Sequence, residues 1–439
     1  MKINHIRIKN FRGYEDLEVT LNPNFNLFIG DNGSGKTAIL EALTVAIGSF
    51  FLGIRGMNAR GFHKKDIRIA TFDHSEEYQF PVEIEAQGEI YQQTISWLRT
   101  LNTDKQNEKK WNRTTTRYAN EIKDLASEAD NAVRSGERIN LPLLVYYATG
   151  RLFDVARDTD ELLKDKNEKM QISSRFRTYE RSLEAKSTHK KFQKWFRSKE
   201  LSRIQKGGSS DVSLEVVKNT IIDSMPSCVN IFYEFDPDKP QGLKIELEDG
   251  RILPFNSLSD GTRNFFAIIA DMAYMCITLN PHLKERALEE TEGVVLIDEL
   301  DLHLHPDWQR KIIAVLRETF PKVQFIATTH SPFLIQETGE GQLIILKNSK
   351  VYKITSAANL SIEDIAEDLQ YVKNPQWGKL RQEMFEKARE YYKAVKEGSD
   401  TPEMKAELDE AMKPFALDTA FYAIVEQEKI IQEYNKNKK

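Results

Sequence analysis

The sequence is poor in cysteine and has no long uninterrupted apolar run. Its 439 residues include two cysteines, Cys228 and Cys276, and neither belongs to a Cys-x-x-Cys or Cys/His pattern. A disulfide framework and a zinc site are therefore excluded, and a reducing compartment is favoured. No apolar run approaches the roughly 18 residues of a membrane span, and the N-terminus leads directly into a strand pattern. We expect a cytoplasmic protein without a membrane segment.

The sequence also lacks a large excess of charge of one sign and a sustained heptad pattern. Its formal net charge of -5 argues against a globally basic protein that wraps nucleic acid, but it permits a local basic surface. Without apolar a and d positions over many heptads, a long coiled-coil arm is excluded. What is present is a hydrophobic content of 40%, which suffices for a large core. The length suggests about two to three domain-sized units.

A glycine-rich loop carries the strongest motif. It follows a dense apolar run at residues 25–29, which predicts a strand, and it precedes residues 39–47, whose apolar positions recur at helical spacing. The loop matches the phosphate-binding pattern GxxxxGK followed by Ser or Thr, because it reads Gly30, Asp31, Asn32, Gly33, Ser34, Gly35, Lys36 and Thr37. The alternative, a chance glycine-rich turn, does not account for the strand and helix on either side.

Each part of this loop suits the binding of ATP with Mg²⁺. The glycines let backbone N–H groups of residues 30–35 converge on the phosphates, and the helix N-terminus adds a favourable dipole. Lys36 is predicted to reach the β and γ phosphates, and Thr37 is predicted to ligate the metal ion.

Two carboxylates, Asp298 and Glu299, follow an unbroken aliphatic run at residues 294–297. Such a run is typical of a parallel strand that is covered on both faces, and ligands bind at the carboxyl ends of such strands. We expect Asp298 to hold Mg²⁺ and Glu299 to orient and deprotonate the attacking water. The alternative for an isolated Asp-Glu pair is a helix cap, and the phosphate-binding loop argues against it.

Three further segments gain meaning from their order along the chain. Residues 258–263, Leu-Ser-Asp-Gly-Thr-Arg, stand before a predicted helix; residues 300–306 follow the Asp-Glu pair; and residues 328–332 contain His330 after another predicted strand. Taken alone, the first segment is a helix cap and His330 is a surface turn residue. His303 and His305 lack a third and fourth ligand at suitable spacing for a metal site.

In this order the motifs resemble those of ABC ATPases, and residues 8–14 resemble the opening of the RecF, SMC and Rad50 head domains. The chain as a whole resembles the head domains of the RecF, Rad50 and OLD group. The resemblance spans both halves of the chain. It implies an α/β fold, a two-lobed ABC ATPase head with a mixed first lobe and a mainly parallel second lobe. It also implies a head-to-tail homodimer, or a higher even-numbered oligomer, that closes around ATP.

The resemblance assigns roles to several residues. Ser259 and Gly261 would contact the γ-phosphate that is bound by the partner subunit. Asp301 would meet the partner subunit, and His330 would contact the γ-phosphate and help to position the water. Arg12 is a secondary candidate near the phosphates. No glutamine suits the Q-loop, whose place is taken by residues 146–151, and Arg151 is a candidate there.

Features that the chain lacks indicate which members of the family it resembles most. Long coiled coils and a Toprim domain are missing, and the remaining pattern looks like the compact ATPase subunit of Septu anti-phage systems, including those attached to retrons. That subunit implies a partner HNH-type nuclease encoded nearby, which the ATPase regulates. The alternative is a RecF-like repair ATPase that clamps DNA without a toxic partner. A transporter cassette fits the opening segment poorly.

We divide the chain into four parts: residues 1–151, lobe I with the phosphate-binding loop; 152–230, a helical insert; 231–360, lobe II with the signature, Asp-Glu strand and switch histidine; and 361–439, a helical C-terminal extension. Residues 421–431 form an amphipathic stretch. The extension either packs against lobe II or docks the nuclease.

Residues 175–206 of the insert, which we name the basic segment, carry eleven Lys and Arg residues against three Glu residues. Five aromatic residues are interleaved with these cations: Phe176, Tyr179, Phe192, Trp195 and Phe196. The cations suit phosphates, and aromatic rings can stack on bases, so DNA or RNA is a candidate partner. The alternative is a solvated helical insert whose aromatic residues pack inward.

Overall fold

The computed structural model describes residues 1–102, 118–152, 174–184, 189–209, 211–225, 227–373, 375 and 378–415. The chain divides into two compact units, Met1–Leu360 and Ser361–Lys439. The strands are β1 (Lys2–Phe11), β2 (Tyr14–Thr20), β3 (Phe25–Gly30), β4 (Ile69–Phe72), β5 (Ser75–Tyr78), β6 (Val82–Ile90), β7 (Gln93–Leu101), β8 (Leu143–Tyr147), β9 (Cys228–Glu234), β10 (Gly242–Leu247), β11 (Ile252–Pro254), β12 (Gly293–Ile297), β13 (Val323–Thr328), β14 (Leu343–Lys347) and β15 (Lys350–Ile354).

The α-helices are α1 (Lys36–Ile47), α2 (Asn120–Arg134), α3 (His189–Gln205), α4 (Val212–Ser224), α5 (Asp260–Leu279), α6 (Ala287–Glu290), α7 (Pro306–Gln309), α8 (Ile312–Thr319), α9 (Pro332–Gln336), α10 (Ile362–Asp364), α11 (Lys379–Glu397) and α12 (Pro402–Met412). Shorter 3-10 helices lie at Gly48–Gly53, Lys64–Asp66, Thr149–Leu152, Arg175–Tyr179, Phe255–Ser257, Pro281–Arg286 and Lys413–Phe415, and a π-helix lies at Ile365–Leu369.

The central sheet has six strands in the order β15-β14-β3-β13-β12-β8. Its strands are parallel except β15, which pairs antiparallel with β14. In the register, Ile297 lies opposite both Tyr147 and Ala327. The carboxyl ends of β3, β13, β12 and β8 therefore meet at one edge of the sheet, where ligands bind in open α/β folds. We name this the carboxyl edge.

The central sheet draws strands from both predicted lobes. Strands β3 and β8 come from residues 1–151, whereas β12 to β15 come from residues 231–360. The predicted α/β class is confirmed, with a mainly parallel sheet beside an antiparallel one. The strand order joins the two predicted parts in one sheet and does not test where one part ends and the next begins. The boundaries at residues 151 and 231 therefore stay predictions.

An antiparallel sheet, β2-β1-β6-β7, covers the other side of α1. Helix α1 is buried along nearly its whole length, and Trp97 of β7 donates a hydrogen bond of 3.0 Å from Nε1 to the carbonyl of Ala46. The position of α1 is thus fixed by a sheet on each side, and with it the loop from which the helix begins.

Within the described residues, the segment Lys36–Gly53 is the helical stretch whose length and composition would suit a membrane span. We expected no apolar run of this length, and Glu41 and Thr44 do interrupt it. Of this segment, 83% is buried inside the protein. This burial explains its composition, because a helix packed between two sheets is apolar on most faces.

A third sheet has the strand order β11-β10-β9. Helix α4 packs against α5 and against β9 of this sheet. The hairpin of β10 and β11 turns at Asp249 and Gly250. Helix α5 begins directly after the 3-10 helix Phe255–Ser257 and Leu258. The helix that carries the predicted signature segment is therefore placed by this hairpin.

In the second unit, α11 and α12 pack against each other around a small apolar core. The core residues are Met384, Ala388, Tyr391, Val395, Leu408 and Met412. The amphipathic stretch predicted at residues 421–431 lies outside the described residues.

Candidate nucleotide-binding site

The loop between β3 and α1 has a backbone that glycine favours. Gly33 and Gly35 have φ angles of 83° and 96°, in the left-handed region. A Cβ atom on Gly30 would meet the carbonyl of Leu346, and one on Gly35 would collide with the hydroxyl of Tyr14. The loop is therefore a tight cradle that only these glycines allow.

Lys36 and Ser34 are held inside this loop. The Lys36 Nζ donates hydrogen bonds to the carbonyls of Gly30, at 2.7 Å, and Asp31, at 3.1 Å. The Ser34 Oγ is buried without a hydrogen-bond partner among the described atoms. A buried hydroxyl left unpaired is costly, so this one suits a polar ligand in the cradle.

Tyr14 supports the glycine loop, a role that the sequence analysis did not predict. The Tyr14 hydroxyl donates a hydrogen bond of 2.9 Å to the carbonyl of Ser34, and the residue is 2% exposed. Burial raises the pKa of the Tyr14 phenol, so the hydroxyl stays protonated and remains a donor. Its place in residues 8–14, which resemble the head-domain opening, was the available signal.

Asp298 lies at the centre of the carboxyl edge. Its Oδ2 accepts a hydrogen bond of 2.9 Å from the Thr37 hydroxyl, and its Oδ1 accepts one of 2.7 Å from the Thr328 hydroxyl. The Asp298 N–H donates to the carbonyl of Tyr147 at 2.8 Å. The two predicted metal ligands, Thr37 and Asp298, are thus in direct contact although 261 positions separate them.

Several of the predicted site residues lie close enough to Lys36 to affect its pKa. Burial lowers the pKa of the Lys36 ammonium. Nearby carboxylates act in the opposite direction, and they are those of Asp298, Asp31, Glu299 and Asp301. Three of these four belong to the segment after β12, so the carboxyl edge places the predicted lysine beside the predicted metal ligand and base.

Glu299 follows Asp298 with an unusual backbone. Its φ angle is 49°, in the left-handed region that residues other than glycine rarely adopt. The Glu299 N–H donates a hydrogen bond of 2.8 Å to the Thr328 hydroxyl. Strained residues of this kind cluster at functional sites.

Asp301 and the predicted signature are joined through residues 302–304. Asp301 Oδ1 accepts a hydrogen bond of 2.5 Å from the Thr329 hydroxyl. A Cβ atom on Gly261 would collide with the carbonyl of His303, and Asn264 Nδ2 donates to the carbonyl of Leu302 at 3.1 Å. The first turn of α5 therefore packs directly on the segment that follows Asp301.

Ser259 is the N-cap of α5. Its Oγ accepts a hydrogen bond of 3.3 Å from the Thr262 N–H and lies 2.8 Å from the Thr262 hydroxyl. This is the helix-cap role that we gave as the alternative. It leaves the predicted role at a partner's phosphate untested, because a cap residue at an exposed helix N-terminus also faces solvent.

His330 is exposed directly after β13, and Ser331 caps α9 by accepting from the N–H groups of Phe333 and Leu334. His303 has a left-handed φ of 62°, and its carbonyl faces Gly261. His305 caps α7 through Nδ1, which accepts from the Asp307 N–H at 3.3 Å. These two histidines thus shape the loop.

Arg12 lies beside α1 in a cluster of charged side chains. Its guanidinium pairs with Glu41, which follows Thr37 by about one helical turn, and its Nε lies 3.3 Å from Asp66 Oδ1. Arg60 shares both carboxylates, at 2.9 Å from Glu41 and 3.7 Å from Asp66. The predicted approach of Arg12 to the phosphates stays a prediction.

The residues present fit ATP with Mg²⁺. The glycine cradle has no room for Cβ atoms at Gly30 and Gly35, and the buried Ser34 hydroxyl needs a partner. The hydroxyl of Thr37 and the carboxylate of Asp298 are hard oxygen donors of the kind that Mg²⁺ prefers. The Q-loop candidate Arg151 lies in the 3-10 helix after β8, and its side chain is outside the description.

In the basic segment, four of the five interleaved aromatic residues are buried. Phe176, Tyr179, Phe192 and Phe196 are between 0% and 3% exposed. Phe192 packs against Phe266 of α5 at 6.4 Å between ring centroids. The idea that these four rings stack on bases is therefore wrong, because they are part of the core.

Several cations of the basic segment bind the protein itself. Arg175 donates from Nε to the carbonyl of Leu279 at 2.5 Å and from Nη2 to that of Ile139 at 2.7 Å. Lys191 donates to two carbonyls, and salt bridges of Lys199 with Asp211 and of Arg203 with Glu200 measure 2.8 and 3.0 Å. The exposed cations of the segment include Arg177, Arg181 and Lys206. The side chains of Lys186 and Lys190 lie outside the description.

Comparison with known proteins agrees with this geometry. A family model described as "AAA domain, putative AbiEii toxin, Type IV TA system" matches residues 25–336. The chain is 26% identical to the retron Ec83 probable ATPase of Escherichia coli, over 87% of this chain and 79% of that protein. It is 26% identical to the Septu protein PtuA of Bacillus thuringiensis, over 84% of this chain and 83% of that protein.

Among solved structures, an SMC head bound to the C-terminal winged-helix domain of ScpA matches with a TM-score of 0.47 and 18% identity, over 81% of this chain and 98% of that chain. The family match covers the glycine loop, the signature segment, the Asp-Glu pair and the switch histidine together.

Proposed function

The chain belongs to this family of AAA ATPase domains, and from that membership and the geometry of the carboxyl edge we propose that it binds and hydrolyses ATP as a subunit of a bacterial anti-phage defence complex. One observation carries the enzymatic part: Asp298 bridges Thr37 of the glycine loop and Thr328 of the neighbouring strand, beside Lys36. Retron and Septu relatives that align along most of their length support the defence role.

The residues of the carboxyl edge divide the work of binding and hydrolysis. Thr37 and Asp298 would hold Mg²⁺, which would neutralise charge on the phosphates. Lys36 leaves the carbonyls of Gly30 and Asp31 and pairs with the phosphates. Glu299 accepts a proton from the attacking water, and His330 contacts the γ-phosphate and helps to position that water.

We propose that two copies pair head to tail. Ser259 and Gly261 of one copy cover the phosphates bound by the other, using N–H groups and the dipole of the 20-residue helix α5. Packing of Gly261 on His303 supports this pairing, because it joins the signature helix to the segment after Asp301, a residue that would also meet the partner copy. Closure of the pair would then act on the signature helix and on the segment after Asp301 together.

The paired heads regulate a nuclease, of the HNH type, encoded beside the ATPase. The helices α11 and α12 of the second unit, with the residues that follow, are the proposed docking element. The competing proposal is a RecF-like ATPase that clamps DNA without a toxic partner. The neighbouring reading frame discriminates between them, since a nuclease gene favours the first and replication genes favour the second.

The test uses the purified chain and its Glu299→Gln variant, with Glu318→Gln at an exposed position of α8 as the control. Loss of the base should slow ATP hydrolysis about 10²–10⁴-fold, while ATP binding persists. Light scattering should show the variant trapped as a closed pair with ATP. Hydrolysis at the parent rate would refute the role of Glu299, and a parent chain that takes up no nucleotide would refute the proposal as a whole.

Co-expression with the neighbouring reading frame tests the defence role. A complex of ATPase and nuclease, whose mass changes with a non-hydrolysable nucleotide, is expected. A neighbour without any nuclease motif, or a nuclease that never co-purifies with the full chain, would favour the RecF-like alternative.

A further inference from the structure

Thr328, the last residue of β13, makes hydrogen bonds to three consecutive residues of the neighbouring strand end. Its hydroxyl donates to Asp298 Oδ1 at 2.7 Å and accepts from the Glu299 N–H at 2.8 Å. Its carbonyl accepts from the Leu300 N–H at 2.9 Å. Thr328 is fully buried, at 0% exposed, so water does not compete for these bonds.

The chemistry of a hydroxyl fixes the direction of these bonds. The Glu299 amide can only donate, so the Thr328 oxygen accepts from it, and its single proton points to the carboxylate of Asp298. The Thr37 hydroxyl occupies the other oxygen, Oδ2. Both oxygens of Asp298 are therefore oriented by hydroxyl donors, one from the glycine loop and one from β13.

The bond to the Glu299 amide has a second consequence. Glu299 has a left-handed φ of 49°, a conformation that an unsupported glutamate would leave easily. The amides of Glu299 and Leu300 donate hydrogen bonds to the hydroxyl and the carbonyl of Thr328, respectively, and these bonds hold the turn. The direction in which the Glu299 side chain leaves the backbone therefore depends on Thr328.

We propose that Thr328 is a positioning residue that sets the metal ligand Asp298 and the base Glu299 in one geometry through a single hydroxyl. The inference rests on the proposed ATPase function and deepens it. Because the hydroxyl joins the two residues, its loss should disturb both the Mg²⁺ requirement and the rate of hydrolysis. Loss of packing alone would lower stability without moving the Mg²⁺ requirement.

Two matched pairs of residues at position 328 isolate the hydroxyl. Val keeps the shape of Thr and has a methyl group in place of the hydroxyl. Ser and Ala both lack the Cγ2 methyl of Thr and differ from each other in the hydroxyl. The measurements on the full chain are kcat, KM for ATP, the Mg²⁺ concentration for half-maximal rate, binding of a fluorescent ATP analogue with Mg²⁺ and with EDTA, and the melting temperature.

Thr328→Val and Thr328→Ala should lower kcat by about 10- to 100-fold, as outer partners of metal ligands commonly do, and should raise the Mg²⁺ concentration needed for both hydrolysis and binding. Binding in EDTA should stay near the parent value. Thr328→Ser should retain most of the parent rate and its Mg²⁺ dependence. If valine prevents folding, the Ser and Ala pair decides alone.

Equal kcat and equal Mg²⁺ dependence within both pairs would overturn the role of Thr328 while leaving the ATPase function standing. A serine variant as impaired as the alanine variant would also overturn it, because the methyl group would then be what matters. A parent chain that neither binds nor hydrolyses ATP would refute the proposed function and this inference with it.

Discussion

The carboxyl edge of the central sheet and the basic segment, residues 175–206, both looked functional in the sequence, but the structure treats them differently. At the carboxyl edge, the Thr37 hydroxyl is hydrogen-bonded to Asp298, and the Lys36 ammonium lies near the Asp298 carboxylate. In the basic segment, Arg175 and Lys191 bind backbone carbonyls of the same chain, and most of the aromatic rings are in the core.

The difference lies in what each pattern encodes. The glycine loop is a spacing motif: its residues are contiguous, and the left-handed glycines fix their relative positions locally. The basic segment is a composition, and composition does not say which side chains find partners elsewhere in the chain. A spacing motif therefore predicts a site, whereas a cluster of cations and aromatic residues predicts only a possibility of one.

The largest effect that would sharpen this comparison is expected at Arg175. Replacing Arg175 by alanine should destabilise the folded chain by about 3 kcal/mol, because the carbonyls of Leu279 and Ile139, in part-buried hydrogen bonds, lose a charged donor. Burial lowers the pKa of the Arg175 guanidinium, in agreement with a position inside the protein. Urea unfolding of the variant and the parent measures the change.

Arg177→Ala is the matched control, because Arg177 lies two positions away in the same 3-10 helix and is exposed. It should leave the unfolding midpoint nearly unchanged. If both variants are equally stable, Arg175 contributes no more than a surface cation, and the contrast between the two regions loses its main support.

Most of the sheet and loop was predictable because short-range patterns determine it. Residues 25–29 and 294–297 read as buried strands, and each one is a strand of the central sheet. What the sequence does not contain is the order of those strands. The position of β13 beside β12 brings Thr328 to Asp298, and that pairing depends on packing of the whole sheet.

The same limit explains the basic segment. Its Phe192 packs against Phe266 of α5, a helix that begins more than fifty positions further along the chain than the segment ends. No periodicity within the segment distinguishes rings that face α5 from rings that face solvent. The partner of Arg175, the carbonyl of Leu279, is 104 positions away in sequence.

The second effect concerns nucleic acid, which the exposed cations of the basic segment still suit. Reversing Arg177, Arg181 and Lys206 together to glutamate should weaken binding of single-stranded DNA or RNA. If all three contact phosphates, the slope of log K against log salt should fall by about 2–3. Fluorescence anisotropy over a range of salt concentrations measures both quantities.

A control with the same change of charge reverses three exposed lysines outside the segment, Lys311, Lys350 and Lys353. It separates a local surface from a general effect of net charge. If the two triple variants bind alike, or if the parent binds no nucleic acid, the basic segment is a structural insert whose exposed cations face water and bind no nucleic acid.

The smallest effect is expected at the carboxyl edge, where Tyr14 supports the glycine loop. Tyr14→Phe removes the hydrogen bond to the carbonyl of Ser34 and keeps the ring against Gly35. Loss of one such bond corresponds to about 0.5–1.5 kcal/mol, so ATP affinity should fall about 2- to 10-fold. Calorimetric titration measures it, with Tyr352→Phe at an exposed position as the control. An unchanged affinity would mean that the glycines and the two flanking elements hold the loop without Tyr14, and the motif alone would then specify the geometry of the phosphate site.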